Sequence, residues 1–130
     1  MGLENVSFIS SMPRDLLVEH ILTAHVCLVP LIKSPLFLNA IPSKMLEYMA
    51  AGKPVIVGIK GEVEQLLSDS DAGVSIDPEN SQELAESILG YKNDPQRVET
   101  EGRSGSRYIQ KKMTKEVMLE RAMAGLFEEE

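Results

Sequence analysis

IPSKMLEYMAAGKPVIV, residues 41–57, contains a clear transition from a helical to a β-strand pattern. Pro42, Ser43 and Lys44 open a helical segment, because proline suits the first helical position, and Gly52 stands just past its end. A Gly-Lys-Pro break then leads into the β-branched run PVIV, which has the composition of a strand. The pattern predicts a helix over residues 42–51 that is followed at once by a buried strand.

Strands and helices alternate on both sides of this stretch. The further expected elements, in chain order, are a strand at 6–9, a helix at 13–24, a strand at 25–31, a helix at 61–71, a strand at 72–78, a helix opened by Ser81, and a helical segment at 95–128 that is interrupted by GRSGS at 102–106 and capped anew at Thr114. Such alternation is typical of βαβ units with a parallel sheet. It predicts an α/β, Rossmann-like domain of three layers with a mostly parallel sheet.

The composition is that of one globular domain, which we expect to span residues 1–130. The chain has 43% hydrophobic residues and a formal net charge of -7. This charge argues against nucleic acid as a partner, because nucleic acid needs a dense basic surface. Cys27, the one cysteine, lies in the apolar run VCLVPL and is interpreted as a core residue. No apolar segment approaches the roughly 18 residues that cross a bilayer, so we expect a cytoplasmic protein without a transmembrane segment.

The start of the helix at 42–51 has the chemistry of an anion site. Free backbone N–H groups and the helix dipole favour a negative ligand there, and Lys44 adds a full positive charge. Ser43 and Glu47 stand one turn apart on the same face. An ionised glutamate only accepts hydrogen bonds, so Glu47 suits two neighbouring hydroxyls such as those of a ribose. These residues predict a site for a nucleotide sugar.

The remaining candidates follow from the position of the helix in a parallel sheet. Such sheets bind ligands beyond the carboxyl ends of their strands, which adds Gly61 to the substrate-binding set. Asp69-Ser70-Asp71 is interpreted as a turn after a helix, and His20 and His25 have no ligands nearby in sequence, so we expect no metal. The sequence singles out no catalytic side chain.

Three segments carry a resemblance to a known family. HVCLVPLIKSP, IPSKMLEYMAAGKPVIV and GEVEQLLSDSDAGVSID, in that order, resemble the C-terminal, donor-binding domain of retaining glycosyltransferases of the GT-B architecture, family four. The resemblance implies a metal-independent transferase without a cofactor, whose donor substrate is a nucleoside diphosphate sugar. It also implies that Glu47 matches the second glutamate of the family signature, which hydrogen-bonds the ribose.

Several positions depart from the family pattern. Asn39 stands where the first glutamate of the signature would contact the donor sugar, and Pro42 replaces a glycine before the helix. The family's basic pair, its first two strands and its N-terminal acceptor domain have no counterpart in this sequence. We therefore expect an incomplete C-terminal half of a GT-B fold that needs the acceptor domain as a partner, and that transfers no sugar as an isolated chain.

A non-catalytic function is the alternative. Asn39 and the absent elements also fit a degenerate transferase half, or a receiver-like signalling module, kept for its contacts with other proteins. A receiver needs a cluster of acidic residues at strand ends, where the sequence places only Asp77.

The absent strands also bear on the edge of the sheet. Without them, the strand at 25–31 would leave an apolar edge open to pairing with another chain. We expect the strand at 6–9 to pair with it directly, which gives a four-stranded sheet, with self-association through the exposed edge as the alternative.

Overall fold

Helices and short parallel strands alternate along the computed structural model, which describes residues 3–30 and 41–112. The elements are α1 (Arg14–Thr23), β1 (Cys27–Val29), α2 (Ser43–Ala50), β2 (Val55–Val57), α3 (Glu62–Ser70), β3 (Gly73–Ser75), α4 (Ser81–Lys92) and α5 (Pro95–Lys112). The predicted α/β class is confirmed. In the described part of the chain, no helix is long and apolar enough to cross a membrane.

The three strands form a parallel sheet in the order β1-β2-β3. Cys27 pairs with Val55, and Val55 pairs in turn with Gly73. Two more bonds extend the ladder beyond the strands, from the Gly58 N–H to the Val29 carbonyl at 2.9 Å and from the Ile76 N–H to the Val57 carbonyl at 2.9 Å. The central strand is buried along its whole length, as is usual for a strand with helices on both faces.

Helices cover the two faces of the sheet, which makes the predicted three layers. Side chains that alternate along β2 point to opposite faces, so Val55 and Val57 join one core and Ile56 joins the other. The larger core contains Met45 and Met49 of α2, the apolar face of α3, and partly buried residues of α1 and α5. The smaller core joins Ile56 to α4 through Tyr91.

A charged cluster ties the end of α4 to the start of α5. Tyr91 is only 2% exposed, and the guanidinium of Arg97 lies 4.1 Å from the centre of its ring. The Nε of Arg97 is 3.0 Å from Oε2 of Glu101, a carboxylate that is itself buried. Burial raises the pKa of Tyr91, and the negative charge of Glu101 raises it further. The Tyr91 hydroxyl is therefore neutral at physiological pH.

The predicted strand at residues 6–9 does not form. These residues have no regular structure, and Phe8 is 98% exposed. Their β-branched and aromatic composition favours a strand, but a strand forms only where a neighbouring strand satisfies its backbone. The expected four-stranded sheet is therefore wrong, and among the described residues β1 is paired only with β2.

The predicted interruption at residues 102–106 is also wrong, because α5 runs through it without a break. Gly102 and Gly105 lie on the buried side of the helix. A Cβ atom at Gly102 would overlap the carbonyl oxygen of Gly52, and one at Gly105 would lie 2.9 Å from the Cβ of Ala72. The glycines therefore allow close helix packing rather than a turn. Thr114 and the rest of the predicted helical segment lie outside the described residues.

The start of α2 differs from the sequence prediction by one residue, because Pro42 is its N-cap rather than its first helical residue. The start of α4 at Ser81 agrees with the prediction. Asn80 is the N-cap of α4, and its side-chain oxygen accepts a hydrogen bond of 3.0 Å from the Glu83 N–H. Asparagine is among the strongest N-cap residues because its side chain satisfies a backbone donor that the helix leaves free.

Candidate functional site

The carboxyl edge of the sheet brings together the loops that carry the predicted site. Each strand of a parallel βα unit ends where the next helix begins, so the N-termini of α2 and α3 lie at the same edge. Gly58 follows β2 at this edge, and its N–H bonds to the last residue of β1. The predicted residues Ser43, Lys44, Glu47 and Gly61 therefore belong to one edge of the molecule.

The N-terminus of α2 has no side-chain cap. Pro42 has an extended backbone (φ −63°, ψ 134°) and supplies no capping hydrogen bond. The first N–H groups of an α-helix have no partner within the helix, so those of Ser43 and Lys44 are left without an intrahelical partner. Met45 and Met49 on the opposite side are buried in the larger core, which fixes the helix while Ser43, Lys44 and Glu47 remain exposed.

Glu47 contacts a cation from another helix. Its Oε1 lies 3.4 Å from Nη2 of Arg14, the first residue of α1. The exposed fractions of the two side chains are 74% for Arg14 and 46% for Glu47. The carboxylate is therefore both held from one side and open to solvent, as a carboxylate that accepts hydrogen bonds from a ligand has to be.

The N-terminus of α3 is acidic, with Glu62 and Glu64 in its first turn. Gly61, with a positive φ of 96°, is the N-cap, and its N–H donates to Oε1 of Glu64 at 3.0 Å. The ammonium group of Lys60 donates to the Ser75 carbonyl at 3.1 Å and lies 3.8 Å from Glu64. The first turn of α3 carries Glu62 and Glu64, whereas the first turn of α2 carries no acidic residue, so the start of α2 is the more favourable of the two for an anion.

An apolar cavity lies at the same edge on the face of the sheet that α4 covers. Its volume is about 350 Å³. It is lined by residues from all three strand ends and from α4, among them Pro30, Ile56, Gly58, Ile76, Asp77 and Leu84. The cavity shares this edge with the start of α2 but lies on the opposite face of the sheet.

The other sequence candidates fall elsewhere. Asn39 lies outside the described residues. Asp71 has a left-handed backbone (φ 50°) at the C-cap of α3, and Asp69 accepts a hydrogen bond of 2.9 Å from Gln65. These contacts agree with a turn at the edge of the sheet opposite to α2. Within residues 3–30 and 41–112, no three His, Cys, Asp or Glu side chains lie together as metal ligands would.

Cys27 is buried in the larger core. Burial raises the pKa of its thiol, and the charge of Lys53 opposes this only in part. A thiol with a raised pKa is a poor nucleophile, which agrees with the interpretation of Cys27 as a core residue.

Arg14 is the site residue that sequence reasoning missed. Its position offered a signal, because a cation in the first turn of a helix opposes the helix dipole. The same signal singled out Lys44. The contact with Glu47 joins positions 33 residues apart, and only the packing of α1 beside α2 reveals it.

The fold and the edge define a class of protein: a Rossmann-like α/β domain with a candidate ligand site at a helix start beyond the parallel strands. The family model described as glycosyl transferases group 1 matches residues 1–108, and the chain belongs to this family. A comparison with curated protein sequences found no match.

A solved structure with a similar fold is that of sucrose-phosphate synthase from Thermosynechococcus elongatus. The TM-score is 0.76 at 24% sequence identity. The match covers 98% of this chain and 31% of the other, so the chain spans about a third of the length of that structure. This similarity agrees with the predicted GT-B type of fold.

Proposed function

We propose that this chain binds the nucleoside diphosphate sugar donor of a glycosyltransferase, which transfers the sugar to an acceptor held by another domain. Family membership supports glycosyl transfer in general. The observation that carries the donor assignment is the uncapped start of α2, with Glu47 exposed one turn inside it at the carboxyl edge of the sheet.

Each residue at this edge has a chemical role in the proposal. Glu47 accepts hydrogen bonds from the ribose hydroxyls. The N–H groups of Ser43 and Lys44, together with the Lys44 ammonium, bind the diphosphate, since helix N-termini and cations favour anions. Pro42 has no N–H to give, so it shapes the start of the helix without binding phosphate. Asn39 is the candidate contact to the donor sugar.

The proposed contribution to catalysis is electrostatic. When the bond between sugar and diphosphate breaks, negative charge grows on the leaving diphosphate, and fixed donors aimed at that charge lower the barrier. Ser43 and Lys44 would supply such donors without a metal ion.

Titration followed by amide NMR tests the proposal. UDP, GDP and ADP would each be added to the 130-residue chain, and the amide signals of Ser43, Lys44 and Glu47 would be followed. We expect saturable shifts at these residues with at least one nucleotide. His25 and Lys92, which line a groove at the opposite edge of the sheet, serve as the internal control. Shifts spread evenly over both edges, or none with any of the three nucleotides, would contradict donor binding and favour a non-catalytic module.

A further inference from the structure

Arg14 and Glu47 form a bridge between two helices at the proposed donor site. The bridge lies at the rim of a small cavity of about 220 Å³, whose walls are apolar side chains of α1 and small residues of α2. Leu17 and Ile21 of α1 line one side of the cavity. Ala50, the last residue of α2, and Ala51, which follows it, line the other side. The ion pair thus spans the crevice between the helices.

The stability of α1 does not explain an arginine at this position. Arg14 follows the N-cap Pro13, where a positive charge opposes the helix dipole, while Asp15 next to it has the favourable sign. An exposed ion pair contributes little to the stability of the fold. The side chain of Arg14 is largely exposed and contacts the one carboxylate at this edge that the proposed function uses.

This inference rests on the proposed function. We propose that Arg14 is a positioning residue that holds the Glu47 carboxylate towards the ribose and thereby sets the preference for ribonucleotides over 2′-deoxyribonucleotides. Arg14 engages Oε1 from the side of α1. A carboxylate has about four acceptor positions on its two oxygens, so the remaining ones can accept from the two ribose hydroxyls.

The physical reason is the conformational entropy of glutamate. A free glutamate side chain loses conformational entropy when it is fixed in one conformation. If Arg14 already restricts Glu47 before the nucleotide arrives, part of that cost does not oppose binding. A ligand without the 2′-hydroxyl gains less from the restricted carboxylate, because one of its hydrogen bonds cannot form.

The test measures the dissociation constants of UDP and 2′-deoxy-UDP by calorimetry on the full 130-residue chain. If GDP or ADP binds more tightly than UDP, that nucleotide and its 2′-deoxy form take their place. The variants are Arg14→Ala, Arg14→Lys, Glu47→Ala and the double variant, and Lys92→Ala at the opposite edge is a charge-matched control. Thermal unfolding of each variant establishes that it folds.

We expect Arg14→Ala to weaken binding of the ribonucleotide by about two- to fivefold, in proportion to an exposed ion pair. Binding of the deoxynucleotide weakens less. The ratio of the dissociation constant of the deoxynucleotide to that of the ribonucleotide therefore falls. Arg14→Lys restores part of the ratio, Lys92→Ala leaves it unchanged, and Arg14→Ala adds no further loss to Glu47→Ala.

Other results would overturn the inference, and they separate it from the proposed function. If Arg14→Ala weakened binding of the ribonucleotide and of its 2′-deoxy form by the same factor, Arg14 would act only as a general positive charge. A loss in the double variant equal to the sum of the single losses would show that Arg14 acts independently of Glu47. If the ribonucleotide binds and depends on Glu47 but not on Arg14, the proposed function stands and the inference falls. A wild-type chain that binds none of the nucleotides would overturn both.

Discussion

Glu47 is an exposed helix residue that contacts a cation from another helix. The helix that carries it is fixed by buried methionines, and its carboxylate faces a guanidinium from α1. Helical spacing alone placed Ser43, Lys44 and Glu47 on exposed faces near the start of α2, and the structure agrees with that placement. The contact with Arg14 could not be predicted from spacing, because it depends on how two helices pack.

Replacing Glu47 by alanine tests the residue directly. We expect Glu47→Ala to weaken nucleoside diphosphate binding by about 1–3 kcal/mol, because it removes charge-assisted hydrogen bonds to the ribose. The free energy of unfolding should change by less than about 0.5 kcal/mol, as is usual for exposed positions. Calorimetry and urea unfolding measure the two quantities. Glu86→Ala on the exposed side of α4 is the control, and an affinity equal to that of this control would refute the ribose assignment.

Tyr91 makes stability depend on alkaline pH. Its pKa is raised above the ordinary value of 10.0, first by burial and then by Glu101, so the folded state keeps the phenolic proton at a pH where the unfolded state loses it. The stabilisation due to this neutral hydroxyl is complete below pH 10 and is lost as pH rises above it. When the pH is raised from 9 to 11, we expect the free energy of unfolding of the wild type to fall by about 1 kcal/mol more than that of Tyr91→Phe. Urea unfolding at both pH values measures this, and equal losses would show that Tyr91 ionises as freely in the folded state as in the unfolded one.

At the scale of the element, α5 shows that a glycine-rich stretch either breaks a helix or lets the helix pack closely against its neighbours. GRSGS looks like a helix break because glycine and serine are weak helix formers. In the folded chain the helix continues, because Gly102 and Gly105 face α2 and α3 at distances that no larger residue tolerates. The hydroxyl of Ser104 also donates to the Ser70 carbonyl at the end of α3. Tertiary packing therefore determines whether the helix continues through this stretch, and that packing cannot be read from a single sequence.

Two glycine substitutions separate packing from helix propensity. Gly102→Ala should destabilise the protein by about 1–3 kcal/mol, because the new methyl group overlaps the Gly52 carbonyl. Gly90→Ala in α4 meets only the tip of the Arg97 side chain, at 3.3 Å, so it should be neutral or stabilise by up to about 1 kcal/mol. Urea unfolding of both variants gives the comparison. If the free energy of unfolding rose by a similar amount in both variants, α5 would pack less closely against Gly52 than described.

At the scale of the whole molecule, the alternation of strands and helices was enough to predict the class of fold. Apolar runs with β-branched residues located β1 and β2 correctly. The same signal failed at residues 6–9, because composition records the preference of a segment but not whether a partner strand lies beside it. Sheet edges are therefore the part of this fold that sequence alone predicts least well.

Hydrogen exchange at β1 tests the position of this strand at the edge. The Cys27 N–H bonds to the Pro54 carbonyl, and the Val29 carbonyl accepts from the Gly58 N–H. Since alternate residues of a strand face opposite sides, the Leu28 N–H points away from β2. In a dilute monomeric sample, we expect the Leu28 amide to exchange at least about tenfold faster than that of Cys27. Equal protection of the two amides would show that another strand or a second copy of the chain covers the edge.

The packing of α5 on α2 also has a consequence for synthesis on the ribosome. Met49 and Gly52 are made early, but the surface that Gly102 and Gly105 contribute to cover them emerges about fifty residues later. Until then, the helix that carries Ser43 and Glu47 lacks one of its neighbours, and its apolar side is accessible to chaperones. The proposed donor site therefore acquires its final rigidity only when the last described helix has left the ribosome.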